Sequence, residues 1–217
     1  MDNYFLDTIT NKDRLQHHLV FSAIFIMVYE HFLSSWKEEL KWFYANGATV
    51  ENNEAVPFFA KVKSCINGNI EWEHDTDAEN EFNNQVFRTV KNSKNGYNKS
   101  LSLFNWLKTY QMINESDYDL LGEIMEKRNE YVHKFYETLT TPITERDEHL
   151  LQELVRIMKE SKIQWIKDIE IPTDPDFCEN CLDENGEFHM PDEIYPVQNI
   201  VLECILSTAL NNDIDEQ

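Results

Sequence analysis

Residues Ser102–Leu139 read SLFNWLKTYQMINESDYDLLGEIMEKRNEYVHKFYETL, and this stretch decides the fold. Apolar residues recur at three- and four-residue spacing on both sides of a short polar step, the period of helices with one buried face. Ser102–Gln111 is predicted as one helix. Ser116 with Asp119 predicts a capping box that opens a second, running through Arg128 and His133 to Leu139.

Upstream, Thr10 with Asp13 predicts the start of a long helix through HHLVFSAIFIMVYEHFLSSWKEELKWFYA, stopped at Asn46-Gly47. It is apolar nearly all round from Val20 to Leu33, which predicts a central position. Val56–Cys65 is predicted as a second helix stopping at Asn67-Gly68. Glu71–Glu81 reads as an exposed acidic loop, about Asp77–Val90 as a third helix and Lys91–Ser100 as a polar loop. Downstream, Pro142 marks a break. Glu145–Ile169 is amphipathic, with Leu150, Leu154, Ile157, Met158 and Trp165 on one stripe. Pro172 and Pro175 then interrupt the pattern, and Val197–Leu210 reads as a closing apolar helix. With only 5 Gly and 6 Pro in 217 residues, the expectation is all-α: a bundle of about five to six helices over 1–169, and an acidic loop-rich segment with a C-terminal helix over 170–217.

An apolar fraction of 41% and 12% aromatics exclude wholesale disorder. No apolar run reaches the roughly 18 residues of a membrane span, the best being Leu19–Tyr29, and MDNYFLDTITNKD lacks the basic-then-apolar order of a signal peptide. Four irregularly spaced cysteines do not make a disulfide framework. The expectation is a cytoplasmic chain without a membrane partner. Nineteen Lys and Arg against 40 Asp and Glu give a net charge of −21, a field that opposes unaided capture of nucleic acid. The charge is uneven. Asp168–Gln217 holds 14 acids and no Lys or Arg, whereas Arg88–Asn114 holds Arg88, Lys91, Lys94, Lys99 and Lys108 and no acid. That pairing suggests an anionic ligand that an acidic tail could mask; solvated, solubilising faces would give the same pattern.

The strongest chemical constellation is Lys127-Arg128-Asn129-Glu130-Tyr131-Val132-His133-Lys134. Asn129 and His133 are four apart and share a helical face. The arm of Arg128 can reach the same patch, and Lys127 and Lys134 flank it. A guanidinium offers a planar fork to phosphate oxygens. An imidazole ordinarily titrates near neutrality and can move a proton. RNA cleavage with such groups requires neither metal nor cofactor, because the 2′-hydroxyl is an internal nucleophile.

The helix–turn–capped-helix layout carrying R-N-x-x-x-H resembles the HEPN family (higher eukaryotes and prokaryotes nucleotide-binding), all-helical domains marked by R-x(4–6)-H with Asn often after the Arg. The close match spans about 40 residues, Ser102–Leu139. The resemblance implies a homodimeric, metal-independent endoribonuclease of a toxin–antitoxin or phage-defence type. RNA would be the substrate rather than DNA, with a protein antitoxin or inhibitor as a further partner. It also implies roles: Arg128 stabilising the phosphorane, His133 as general acid or base and Asn129 positioning the substrate. The product would be a 2′,3′-cyclic phosphate. One toxin subgroup carries Tyr two residues after the His; here that position is Phe135, so the subgroup's antitoxin chemistry is not implied. Some members are inactive binding or dimerisation modules, which is the competing expectation. Active residues would lie exposed in a basic groove at a dimer axis; a structural pair would be buried or salt-bridged within its own chain.

Other candidates have ordinary explanations beside the functional one. Cys178-x-x-Cys181 with His189 could supply part of a zinc site, completed by Cys204, Cys65 or His74; no second knuckle has the spacing, and small buried cysteines account for the pair equally. His17-His18 and His31 read as edge residues of the first helix. Glu30 is the only acid between Asp13 and Glu38 and reads as a rim residue. Trp36, Trp42, Trp106 and Trp165 read as core or interface. No Walker loop, dinucleotide fingerprint, G-x-S-x-G or H-E-x-x-H occurs.

Overall fold

A computed structural model describes residues 3–45, 58–66 and 69–173. The described part is mostly helical, with one antiparallel hairpin. It divides into two compact units, Met1–Glu30 with Leu107–Gln217, and His31–Trp106. The Cys178, Cys181 and His189 set, the helix expected over Val197–Leu210 and the stops at Asn46-Gly47 and Asn67-Gly68 lie outside the described residues.

Helix α1 (Asn3–Thr10) precedes the 33-residue α2 (Lys12–Tyr44), about 50 Å long, whose residues up to Glu30 belong to the first unit. The cap of α2 is Asn11 rather than Thr10. Asn11 Oδ1 accepts from the amides of Asp13 and Arg14 at 3.0 and 3.2 Å, while the Thr10 hydroxyl turns back to the Leu6 carbonyl. In this unit α2 buries Phe21, Phe25, Val28 and Tyr29, but Leu19, Val20 and Met27 are exposed on its other side. The expectation of burial all round is therefore corrected to burial of one face. An 18-residue window of α2 has mean hydropathy 1.4, enough by length and composition alone to cross a membrane, although 39% of it is buried inside the fold.

Helix α5 (Glu115–His133) buries Leu121, Ile124 and Tyr131 on one stripe. The Tyr131 ring stands edge-on to Phe25 and Phe21, with centroids 5.4 and 6.2 Å away. The capping box is Asn114 with Asp117, two residues earlier than the spacing of Ser116 and Asp119 suggests. The helix ends at His133, because Lys134 leaves the helical region at φ −123°, ψ 32°, and a short α6 (Phe135–Thr138) follows. The single helix expected through Leu139 is thus broken. Helix α7 (Glu145–Trp165) opens on a Thr144–Asp147 capping box and buries Leu150, Leu154, Ile157, Met158 and Trp165, the stripe read from the sequence. A wider π-type turn over Ile166–Glu170 carries the helical path on to Ile171–Thr173, past Pro172.

In the second unit, Phe32, Trp36 and Leu40 continue the buried face of α2 at four-residue spacing. Strands β1 (Ala60–Ile66) and β2 (Asn69–His74) pair antiparallel, Val62 opposite Trp72 and Cys65 opposite Ile70. The helix expected over Val56–Cys65 is therefore replaced by strand from Ala60 onward. The first four residues of AKVKSCI alternate small or apolar with lysine, and two-residue alternation suits a pleated strand rather than a helix. The acidic loop expected over Glu71–Glu81 is β2 followed by α3 (Thr76–Phe82), capped by Asp75. Beyond Phe82 the path widens into a π-type turn, Asn83–Phe87, so the helix expected to Val90 stops short. After a loop, α4 (Lys99–Thr109) begins.

Asp117 both caps α5 and accepts from Arg156 of α7 at 2.6 Å, and it is buried. Its loss removes a cap, worth about 1 kcal/mol, and a charge-assisted bond worth about 1.5 kcal/mol or more. Asp117→Ala is expected to lower the unfolding free energy by about 2 kcal/mol in urea titration, whereas Asp119→Ala, at an exposed position, should cost under about 0.5 kcal/mol.

Candidate functional site

Consecutive residues of an α-helix point about 100° apart. That rotation separates the cluster that the sequence places side by side. Arg128 falls on the core-facing stripe of α5, seven residues after Leu121 and four after Ile124. Its stem is largely covered, with the side chain 23% exposed, and Nε is buried with no hydrogen-bond partner among the described residues. The guanidinium lies over the Tyr29 ring at 5.7 Å. Its tip turns outward: Nη2 donates to Glu30 Oε1 of α2, and Nη1 donates to Asn129 Oδ1 at 3.1 Å. Asn129 and His133 occupy the adjacent stripe, and His133, the last residue of α5, is exposed.

The described structure therefore joins Glu30, Arg128 and Asn129 directly, with His133 one turn beyond Asn129. A fixed fork, an amide and an accessible imidazole share one surface of the first unit. Glu30 is the residue that sequence reading assigns to the rim. It is half exposed, but its carboxylate engages Arg128. Its signal was its isolation, a lone acid on an apolar helix. The in-chain ion pair meets the condition set for a structural Arg; the exposure of His133 meets the condition set for an active imidazole.

Lys127 and Lys134 lie elsewhere. They line a cleft of about 180 Å³ with His18, Glu130, Tyr131, Glu137, Asp147 and the Thr138–Ile143 turn. Lys127 Nζ is 2.7 Å from Asp147 Oδ1 and 3.2 Å from Glu130 Oε2. Asp147 is buried and is also the capping carboxylate of α7. Burial opposes the charge on each partner, yet their mutual bond outweighs it. The Lys127 pKa is raised with help from Glu130, and that of Asp147 is lowered with help from the Thr144 amide and hydroxyl. Burial raises the Tyr131 phenol, and Asp147 and Glu130 add to that, so the phenol stays a donor. Within this cleft Lys127, Asp147 and Glu130 are spent on one another, while Lys134 is exposed with no ion-pair partner among the described residues.

His18 is buried and its Nε2 lies 3.1 Å from the Tyr4 hydroxyl. Among the described residues no group of three His, Cys, Asp or Glu side chains is placed to hold a metal ion, and Cys65 is an exposed free thiol. Comparisons with protein-family models, with curated proteins and with solved structures found no match.

Burial lowers the His18 pKa below 6.5, the charge of His17 adds to that, and Asp147 opposes it. Between the folded value and 6.5 the unfolded chain therefore binds more protons than the folded one, so stability falls as the pH drops through that window. Asp147, with its lowered pKa, contributes stability that is lost only at more acid pH. Urea midpoints are expected to be flat above about pH 7 and to decline below about pH 6.5. His18→Gln should flatten the upper part of that decline, and an unchanged profile in the variant would exclude His18 as its source.

Proposed function

We propose that the chain is an HEPN-like, metal-independent endoribonuclease that acts as a homodimer. The observation that carries the reading is the arrangement of Arg128, Asn129 and exposed His133 along one surface, with the fork of Arg128 held in place rather than free. A preset donor geometry costs little reorganisation when charge develops on a phosphate. The 2′-hydroxyl attacks phosphorus and gives its proton to an imidazole. The bond from phosphorus to the 5′ oxygen breaks, and that oxygen takes a proton from an acid. Two copies supply two imidazoles for these two transfers, and Arg128 balances the added negative charge on the phosphorane. Asn129 orients the phosphate or a ribose hydroxyl.

The dimer has a surface to use. Leu19, Val20 and Met27 form an exposed apolar stripe on α2, and Glu30 follows Met27 by one turn. A twofold contact along this stripe would set two Glu30–Arg128–Asn129–His133 surfaces together. The dimer is expected to bury more than about 1,000 Å² in total. A cytoplasmic setting accords with an RNA substrate, and a protein inhibitor fits a toxin of this type.

The Glu30–Arg128 pair favours a second reading, an inactive HEPN-like binding module in which the pair simply ties α2 to α5. Glu30→Gln separates the two. It keeps an acceptor for Arg128 while removing the charge that competes with phosphate. For a nuclease it should tighten RNA binding, whatever it costs in stability, while a tying role alone predicts a loss of stability with no RNA phenotype.

Mixed RNA incubated in EDTA should be cut by the wild type. Arg128→Ala and His133→Ala should each reduce the rate by several orders of magnitude, and His133→Ala should retain the fold because its site is exposed. Loss of cleavage on chelation, or full activity of His133→Ala, contradicts the mechanism. A strictly monomeric protein at micromolar concentration that still cuts RNA contradicts the composite site.

A further inference from the structure

Several cations in this acidic chain sit against an acid, among them Lys61 on Glu73, Lys63 on Glu71, Lys108 on Glu115, Lys127 on Asp147 and Arg146 on Glu123. The loop that leads into α4 is different. Arg88, Lys91, Lys94 and Lys99 are exposed and have no ion-pair partner among the described residues. Arg88 donates only to the neutral Asn84 at 3.1 Å. No acid occurs between Glu81 and Glu115.

The loop is built rather than slack. Asn92 Oδ1 accepts from the amides of Lys94 and Gly96 at 3.0 and 2.9 Å, and the Asn92 amide donates to the Gly96 carbonyl. Asn95 takes a left-handed φ of 59°, which closes the tip. Lys91 and Tyr97 bridge across its base, and the Asn98 amide returns to the Val90 carbonyl. Tyr97 is 42% exposed, flanked by Lys94 and Lys99. Lys99 opens α4, whose first turn holds no acid. A cation at the positive end of a helix is mildly unfavourable for the helix itself, so helix stability does not explain it. Nor does solubility, which a net charge of −21 already secures.

We propose that this loop, Arg88–Lys99, is a contact surface for single-stranded RNA, with its cations on successive phosphates and the Tyr97 ring as a stacking platform for an unpaired base. The inference rests on the RNA reading above and names a second place where the substrate is held. Electrostatic range makes the loop effective in so acidic a chain. At physiological salt the screening length is about 8 Å, so a phosphate beside the loop senses its four cations more than distant carboxylates. An aromatic between cations is the combination that binds single strands without base-edge readout. A membrane surface would call for exposed aliphatic side chains beside the cations, and the loop's one aliphatic residue, Val90, is partly buried.

The test uses the full chain carrying His133→Ala, so that RNA persists, and measures anisotropy of a labelled single-stranded oligoribonucleotide across a salt series. Replacing Lys91, Lys94 and Lys99 together by Gln should make the slope of log affinity against log salt shallower by about 2, at roughly 0.7 per phosphate contact. Tyr97→Ala should weaken binding about tenfold and Tyr97→Phe should not. Circular dichroism of each variant should match the parent, since the changes are at exposed positions. Unchanged affinity and slope in the triple variant overturn the proposal, as does binding of anionic vesicles or polyglutamate as tight as that of RNA. The two ideas fail separately. If the wild type cuts RNA and the triple variant binds it normally, the loop assignment is wrong and the cleavage reading stands. If the loop variants lose RNA affinity but the wild type never cuts, the loop assignment stands and the cleavage reading falls.

Discussion

Two neighbouring cations of α5 are held from opposite directions, Lys127 by Asp147 of α7 and Arg128 by Glu30 of α2. Neither pair is fully dry, and an exposed pair alone would contribute little. Here each is seated on the core. Arg128 lies over Tyr29, and Asp147 is buried at the first turn of α7. Removing either acid would leave a partly desolvated cation unmatched, which costs more than the pair itself contributes. The aromatic contacts of Tyr131 with Phe21 and Phe25 fill the space between these anchors. The register of α5 against its neighbours, and with it the placement of Asn129 and His133, follows from this double restraint.

The restraint also divides what the chain can do chemically. On one side, the cleft at Lys127 holds cations and acids that neutralise each other, a buried phenol that keeps its proton and a buried imidazole that resists gaining one. That side is a structural polar seam, and its cost appears as sensitivity to acid. On the other side, the fork of Arg128 is aimed with only its tip reaching outward, and the imidazole of His133 is open to solvent. The same two adjacent residues therefore serve opposite ends, one closing a helix junction and the other presenting a surface.

The long periodic helices were legible because burial imposes their period. Leu150, Leu154, Ile157, Met158 and Trp165 are buried as their spacing requires. Caps were legible in kind but displaced. Ser116 and Asp119 have the right spacing, yet Asn114 and Asp117 do as well, and only tertiary contact with Arg156 decides between them. The hairpin is hard to read in the sequence because the alternation in Ala60–Ile66 lasts only four residues, too few to settle a period. The Asn-Gly step after it is a hairpin signal as much as a helix stop. The break at Lys134 has no Gly or Pro to announce it. In the site, Arg128, Asn129 and His133 could be singled out by residue type and spacing. That Lys127 belongs to a different face follows from helix rotation, whereas Lys134 lies beyond the end of α5. The partnership with Glu30, 98 residues away along the chain, required the packed structure.

The central claim is that this surface breaks RNA by internal attack of the 2′-hydroxyl. The chemistry at the cut ends tests it most directly. Mass spectrometry of fragments made by the purified protein in the presence of chelator should show 2′,3′-cyclic phosphate on one side of each cut and 5′-hydroxyl on the other. Fragments bearing 3′-hydroxyl and 5′-phosphate ends would show that water or a metal-bound hydroxide attacks instead, and would contradict the account.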